Sequence, residues 1–147
     1  TEPLRILVPL DFSPATPRVL DSTLKLARAT GASVWLLHVA TPDPAFVGYQ
    51  AGSDSVRDQV AHEYREEHRT LQSHADDLRA AGIEAIALLL RGATAQVILS
   101  EAERLHADLI VMATHGHSAV FNLIVGSVSQ AVLRASPIPV LVVPARH

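Results

Sequence analysis

Two glycines, two serines and an aspartate carry the spacing in this chain that could do chemistry. Gly116 is separated by nine residues from Gly126-Ser127, and Val128 and Ser129 come directly after. Glycine lets backbone N–H groups approach a ligand closely. A helix that starts at Gly-Ser points unpaired amides outward, which suits phosphate oxygens. Ser127 and Ser129 would add hydroxyl donors. Upstream lies Leu109-Ile110-Val111-Met112, wholly apolar, while Val128, Val132 and Ala135 recur at helical spacing. The stretch therefore reads as a doubly buried strand, a loop and a helix. Asp11 ends another apolar run, just before Ser13-Pro14. A carboxylate there either caps the coming helix or faces a ligand.

Other chemistries find no residues to carry them. No lysine accompanies the glycine loop, so it is not a Walker A site, and no G-x-G-x-x-G follows a strand. No Ser-His-Asp set, nucleophile elbow or paired carboxylates are evident, so no catalytic residues are assigned. The chain has eight histidines. His62, His68 and His74 step about 240° net around a helix at 3.6 residues per turn, so they point to three sides and read as solvated. His115 and His117 flank Gly116 and read as exposed loop residues, although a cationic imidazole there could meet a phosphate. His38 reads as packed and hydrogen-bonded inside a strand. No metal-ligating set is assigned. Glu63, Arg65, Glu66, Glu67, His68 and Arg69 read as the solvated face of a helix.

The 147 residues predict one domain spanning 1–147, large enough for a sizeable core. Apolar residues make up 48% and charged residues 18%, a globular balance. The net charge of −3 offers no basic field for nucleic acid or anionic membrane. Cysteine is absent, which excludes disulfides and thiol chemistry and fits a reducing compartment. The N-terminal residues lack a signal-peptide pattern, and no apolar run approaches the roughly 20 residues of a membrane span. The expectation is a cytoplasmic protein.

The elements that must position these residues alternate. Strands are expected over residues 4–10, 33–40, 83–90, 109–112 and 140–143. Helices carry Leu20, Leu24 and Ala27; the polar stretch 53–81; Ile98, Ala102 and Leu105; and Val128, Val132 and Ala135. Ser13 is expected to cap the first helix with Pro14 at its first position, and Gly31 and Gly82 to end the first two. Pro42, Pro44, Gly48 and Gly52 mark a long connection. Alternation predicts an α/β fold: a doubly wound open sheet of five parallel strands with four helices. Ligands of such sheets sit beyond the C-terminal strand ends, where strand order switches. If the first and fourth strands are neighbours, Asp11 and Gly116 share one crevice.

Gly-x-x-Gly, nine residues, then Gly-Ser/Thr is the nucleotide signature of the universal stress protein family. This chain resembles its ATP-binding branch in ILVPLDFSP, in ADLIVMATHGHS and in GSVSQAVLRASPIPVLVVP, with Ala113 at the first glycine position. The resemblance implies a regulatory protein of the stress response that binds ATP, with Mg2+ held through the phosphates. Pro9 and Asp11 would belong to the site, Asp11 toward the ribose or a phosphate-bound metal. Val39 would offer backbone groups to adenine, and Met112 and Ala113 theirs to sugar and phosphates. Gly116, Gly126, Ser127, Val128 and Ser129 would cradle the phosphates. The Ala113 methyl fits at negative φ and obstructs at positive φ. The resemblance also implies a homodimer through the strand at 140–143, and an unidentified regulatory partner. Two alternatives stand beside it: a slow ATPase or phosphoryl-transfer enzyme in the same crevice, and a nucleotide-free dimeric scaffold.

Overall fold

The computed structural model describes residues 2–40, 54–114 and 126–144. Elements follow in the order β1 (Arg5–Pro9), α1 (Thr16–Thr30), β2 (Ser33–Ala40), α2 (Asp54–Ala80), β3 (Glu84–Arg91), α3 (Thr94–Arg104), β4 (Leu109–Ala113), α4 (Ser127–Ala135) and β5 (Val140–Val143). All pairings are parallel, in the order β3-β2-β1-β4-β5. The expected five parallel strands and four helices are thus present among the described residues. The connection with Pro42, Pro44, Gly48 and Gly52 lies outside the described residues.

Side-chain alternation in the strands builds two cores, one on each sheet face. Ile6, Val8, Val34, Leu36, Val111 and Val143 face α1 and α2. Leu7, Trp35, Leu37, Ile110 and Met112 face α3 and α4. Ile6, Leu7 and Val8 are all fully buried, because β1 is the central strand and is covered on both faces. The helices meet the sheet along apolar stripes: Val19 and Ala27 on α1, Leu71, Ala75 and Leu78 on α2, Ile98 and Ala102 on α3.

Three local details differ from the sequence-based expectations. α1 begins at Thr16 with Ala15 as its N-cap, and Pro17 rather than Pro14 lies in its first turn. Ser13 instead organises a preceding turn, its Oγ accepting from the Ala15 N–H at 3.4 Å and its carbonyl from the Thr16 N–H at 3.0 Å. On α4 the buried residues are Ser129 and Val132, whereas Val128 is 36% exposed and Ala135 lies in solvent. The helix is rotated because the Ser129 hydroxyl is held against β4. On α2, His74 is half-buried with its ring centroid 6.2 Å from that of Phe12, while His62 and His68 are exposed. Gly31 and Gly82 take φ of +71° and +88° just past α1 and α2, the left-handed stop expected of them.

The sheet's N-terminal rim is tied across the chain. Arg5 donates its backbone N–H to Asp108 at 2.9 Å and its Nε–H to the Leu105 carbonyl at 2.7 Å, with the guanidinium over Trp35. At the end of α3, Arg104 grips the buried Glu101 through Nε and Nη2; this hydrogen bond and charge push the guanidinium further above its usual range.

Candidate nucleotide-binding crevice

β1 and β4 are neighbours, and strand order switches between them. Their ladder pairs Ile6 with Leu109 and Leu7 with Ile110, then stops. The stop has a covalent cause. Successive residues of a strand turn their backbone groups to alternate neighbours. The Leu10 N–H goes to the β2 carbonyl of Leu37 at 2.8 Å, and the Arg5 carbonyl takes the Asp108 N–H on the β4 side at 2.7 Å. Odd-numbered residues of β1 therefore address β4, and Pro9 is one of them. Proline has no N–H to give. The strands part there, leaving Pro9 to Asp11 on one lip and Met112 to Thr114 on the other.

Asp11 is half-buried on its lip. Its Oδ1 accepts the Ser13 N–H at 3.0 Å, which fixes the carboxylate in a tight turn before α1. Val39 stands near the end of β2, 8% exposed, its side chain packed in the core as expected. The Leu37 carbonyl is turned toward β1, and Val39, two residues on, turns its backbone groups the same way. No backbone bond joins the Val39 N–H to Leu10 among the described residues.

On the other lip, Met112 is buried against α4's side of the sheet and Ala113 against the opposite side. Ala113 pairs with Val143 inside β4 and has no positive φ. Its methyl therefore points into the core and not across the crevice, which removes the obstruction a left-handed alanine would cause. Gly116, with His115 and His117, lies outside the described residues.

Past the loop, Gly126 is the N-cap of α4, at φ −73° and ψ 169°. Its N–H donates to the Thr114 carbonyl at 2.5 Å, and its carbonyl takes the Gln130 N–H at 2.9 Å. The first turn of α4 is so pinned beside the end of β4. The amides of Ser127, Val128 and Ser129 occupy the positions that have no carbonyl partner within a helix. Gly126 contributes its missing side chain rather than its N–H. The Ser129 hydroxyl, expected as a phosphate donor, instead donates to the Ala113 carbonyl at 2.6 Å and is 4% exposed. The Ser129 hydroxyl thus fastens the first turn of α4 to the end of β4. Ser127 is exposed at the helix start.

Two residues around His38, behind the Asp11 turn, escaped the sequence reading. Phe12 follows Asp11 at φ +60° and stacks on His38 with centroids 4.3 Å apart. Glu67, placed on a solvated face by its charged neighbours, turns inward to His38. The available signal was its place one turn before Leu71 on the buried stripe of α2. Among the described residues, no group of three or more His, Cys, Asp or Glu side chains could hold a metal ion. None of the described helices is long and apolar enough to cross a membrane.

Comparison with known proteins matches residues 4–144 to the model of the universal stress protein family. A universal stress protein of Thermus aquaticus is 34% identical over 139 residues, covering 94% of this chain and 96% of the relative. One from Methanocaldococcus jannaschii is 30% identical, covering 95% and 81%. Among solved structures, the hypothetical protein MJ0577 superposes with a TM-score of 0.83 at 23% identity, over 100% of this chain and 99% of the other. A universal stress protein in complex with cAMP gives 0.68 at 22% identity, covering 99% and 100%. An Archaeoglobus fulgidus universal stress protein in complex with dAMP gives 0.64 at 23%, covering 95% and 97%.

Proposed function

The chain belongs to the universal stress protein family, and from that premise we propose that it binds ATP in the crevice between β1 and β4 as a regulatory ligand of a cytoplasmic stress response. The observation that carries the reading is the placing of α4's first turn beside the end of β4, opposite the Asp11 lip. The amides of Ser127, Val128 and Ser129 then receive phosphate oxygens, with the positive end of the helix behind them. Gly116 and Gly126 let the phosphates approach the backbone. The Asp11 carboxylate accepts from ribose hydroxyls, the Val39 backbone reads the adenine edge, and Pro9, Met112 and Ala113 line the sugar. Structures of family members with cAMP and dAMP support an adenine nucleotide.

Mg2+ fits as a companion of the phosphates and not as a resident ion. The described residues offer it a single carboxylate, Asp11, and Mg2+ commonly keeps several waters beside phosphate oxygens. The alternative of a slow ATPase or phosphoryl-transfer enzyme in the same crevice needs a base or water-positioning group at the γ-phosphate, and the loop histidines His115 and His117 lie outside the described residues. The binding reading is favoured over a nucleotide-free scaffold because the Ala113 methyl is turned into the core.

Calorimetry with Mg-ATP tests it, together with a search for adenine nucleotide released on denaturing the purified protein. Binding in the micromolar to submillimolar range is expected, equivalent to about −8 to −5 kcal/mol. No heat and no thermal shift at millimolar ligand would overturn the reading.

A further inference from the structure

The Leu10 carbonyl, one residue before Asp11, lies 2.7 Å from His38 Nδ1. A carbonyl only accepts, so Nδ1 carries a proton. The other ring nitrogen, Nε2, is in short contact with Oε2 of Glu67 on α2. An ionised carboxylate also only accepts. A neutral imidazole has one proton, already placed on Nδ1, and would aim the lone pair of Nε2 at the carboxylate. Both contacts are satisfied only when the pair holds one proton more, on Nε2 or on Glu67. His38 is 8% exposed, so water does little to relieve a mismatch at the ring.

The same ring also holds the residue after Asp11. Phe12 stacks on it with an interplanar angle of 22°, and keeps a φ of +60° that a bulky residue adopts only when its surroundings enforce it. Asp11 therefore sits between two neighbours that are both anchored to His38, one by a hydrogen bond and one by stacking. Among the described residues, the ionisable groups around the ring are Glu67 and, at the edge of the Phe12 contact, His74, both from α2, with Asp11 on the β1–α1 turn. Tyr64 of α2 donates to the carbonyl of Leu89, the register partner of His38, at 3.3 Å. β3 presents only the apolar Leu89 in register with His38.

We infer that His38 and Glu67 form a proton-sharing clamp that positions Asp11, so that nucleotide affinity falls as pH rises and the shared proton is lost. The inference rests on the nucleotide-binding reading for its ligand. His38 acts as a positioning residue, through Leu10 and Phe12. Removal of the proton turns the Nε2–Glu67 contact from a charge-assisted hydrogen bond into a repulsion between a lone pair and an anion. The ring then gives up its place, and the turn carrying Asp11 loosens with it.

Glu67→Gln is the diagnostic variant, because the glutamine amide donates to the lone pair of a neutral His38 and needs no extra proton. Mg-ATP affinity is measured by calorimetry from mildly acidic to alkaline pH on the wild type and the variant. The nucleotide phosphates ionise alike in both experiments, so the difference between the two profiles isolates the clamp. Relative to the variant, the wild type is expected to weaken by about fivefold or more as pH rises, the low end of ordinary coupling between sites. Parallel profiles overturn the clamp. If neither protein binds nucleotide at any pH, the functional reading falls, and the clamp is decided by nuclear magnetic resonance of the wild type alone. The ring 15N and Glu67 carboxyl 13C signals should then show one shared proton in the clamped form, and the Asp11 and Phe12 amides should move when that proton is lost. A pair without that proton, or amides that ignore its loss, overturns the clamp.

Discussion

At the scale of single residues, the crevice is made largely of backbone, and side chains matter by being absent or turned away. Gly126 shows this most clearly. Its φ of −73° is open to any L-residue, so a substitution there need not strain the chain. Gly126→Leu should leave the circular dichroism spectrum and melting cooperativity intact while weakening Mg-ATP at least tenfold by calorimetry, since the new side chain stands where phosphates approach the amides. Unchanged affinity would put the cradle elsewhere. That Asp11 lies in a turn after β1 and that Gly126-Ser127 starts a helix was legible in the sequence, because Asp, Gly and Ser are the residue types that turns and helix N-caps favour. The Ser129 hydroxyl was misread because spacing reveals neighbours along the chain, not which carbonyl a side chain meets across it. Glu67 and Phe12 were hidden for the same reason: their partner, His38, comes from a strand 29 and 26 residues away in sequence.

At the scale of elements, hydrophobic periodicity located every strand to within about two residues, the usual latitude of element ends. β2 and β5 fall at residues 33–40 and 140–143, as their apolar runs predict. Where periodicity failed, a polar contact had overruled it. α4 buries Ser129 instead of Val128 because one hydroxyl is committed to Ala113, and α1 starts late because Ser13 and Asp11 shape a turn ahead of it. α2 is long and mostly polar, so its hold on the sheet depends on a narrow stripe centred on the fully buried Leu71. Leu71→Ala should cost about 2–5 kcal/mol in urea unfolding, through lost burial and the cavity left behind. A loss below about 1 kcal/mol would mean that α2 collapses into the gap and that the stripe is not what secures it.

At the scale of the whole molecule, β3 and β5 are the outermost strands of the sheet among the described residues. β5 is apolar throughout, bounded by Pro139 and Pro144 with no charge between them, and Leu141 is 42% exposed. An edge of that kind invites pairing, and a second copy would satisfy it with one self-complementary contact. Sedimentation should find a dimer at micromolar concentration, and Leu141→Lys should convert it to a folded monomer. Val143 is unsuited to the same test, being 5% exposed inside the core. A wild-type monomer across that range would refute edge pairing; the Arg146-His147 tail, the rival cover for this edge, lies outside the described residues. The break in β1–β4 pairing at Pro9 has a consequence in time as well as in space. β1 is synthesised before β4, and its partner on that side arrives more than a hundred residues later, as the 103-residue span of the Arg5–Asp108 contact shows. Closing so long a loop is entropically slow. β1, β2 and β3 can assemble while the chain is still emerging, but both lips of the crevice cannot exist until β4 and α4 have docked. A ligand of this crevice would therefore recognise only the finished molecule. Saturating Mg-ATP should slow unfolding in stopped-flow measurements and leave the refolding rate unchanged, since contacts absent from the transition state act on the unfolding limb alone.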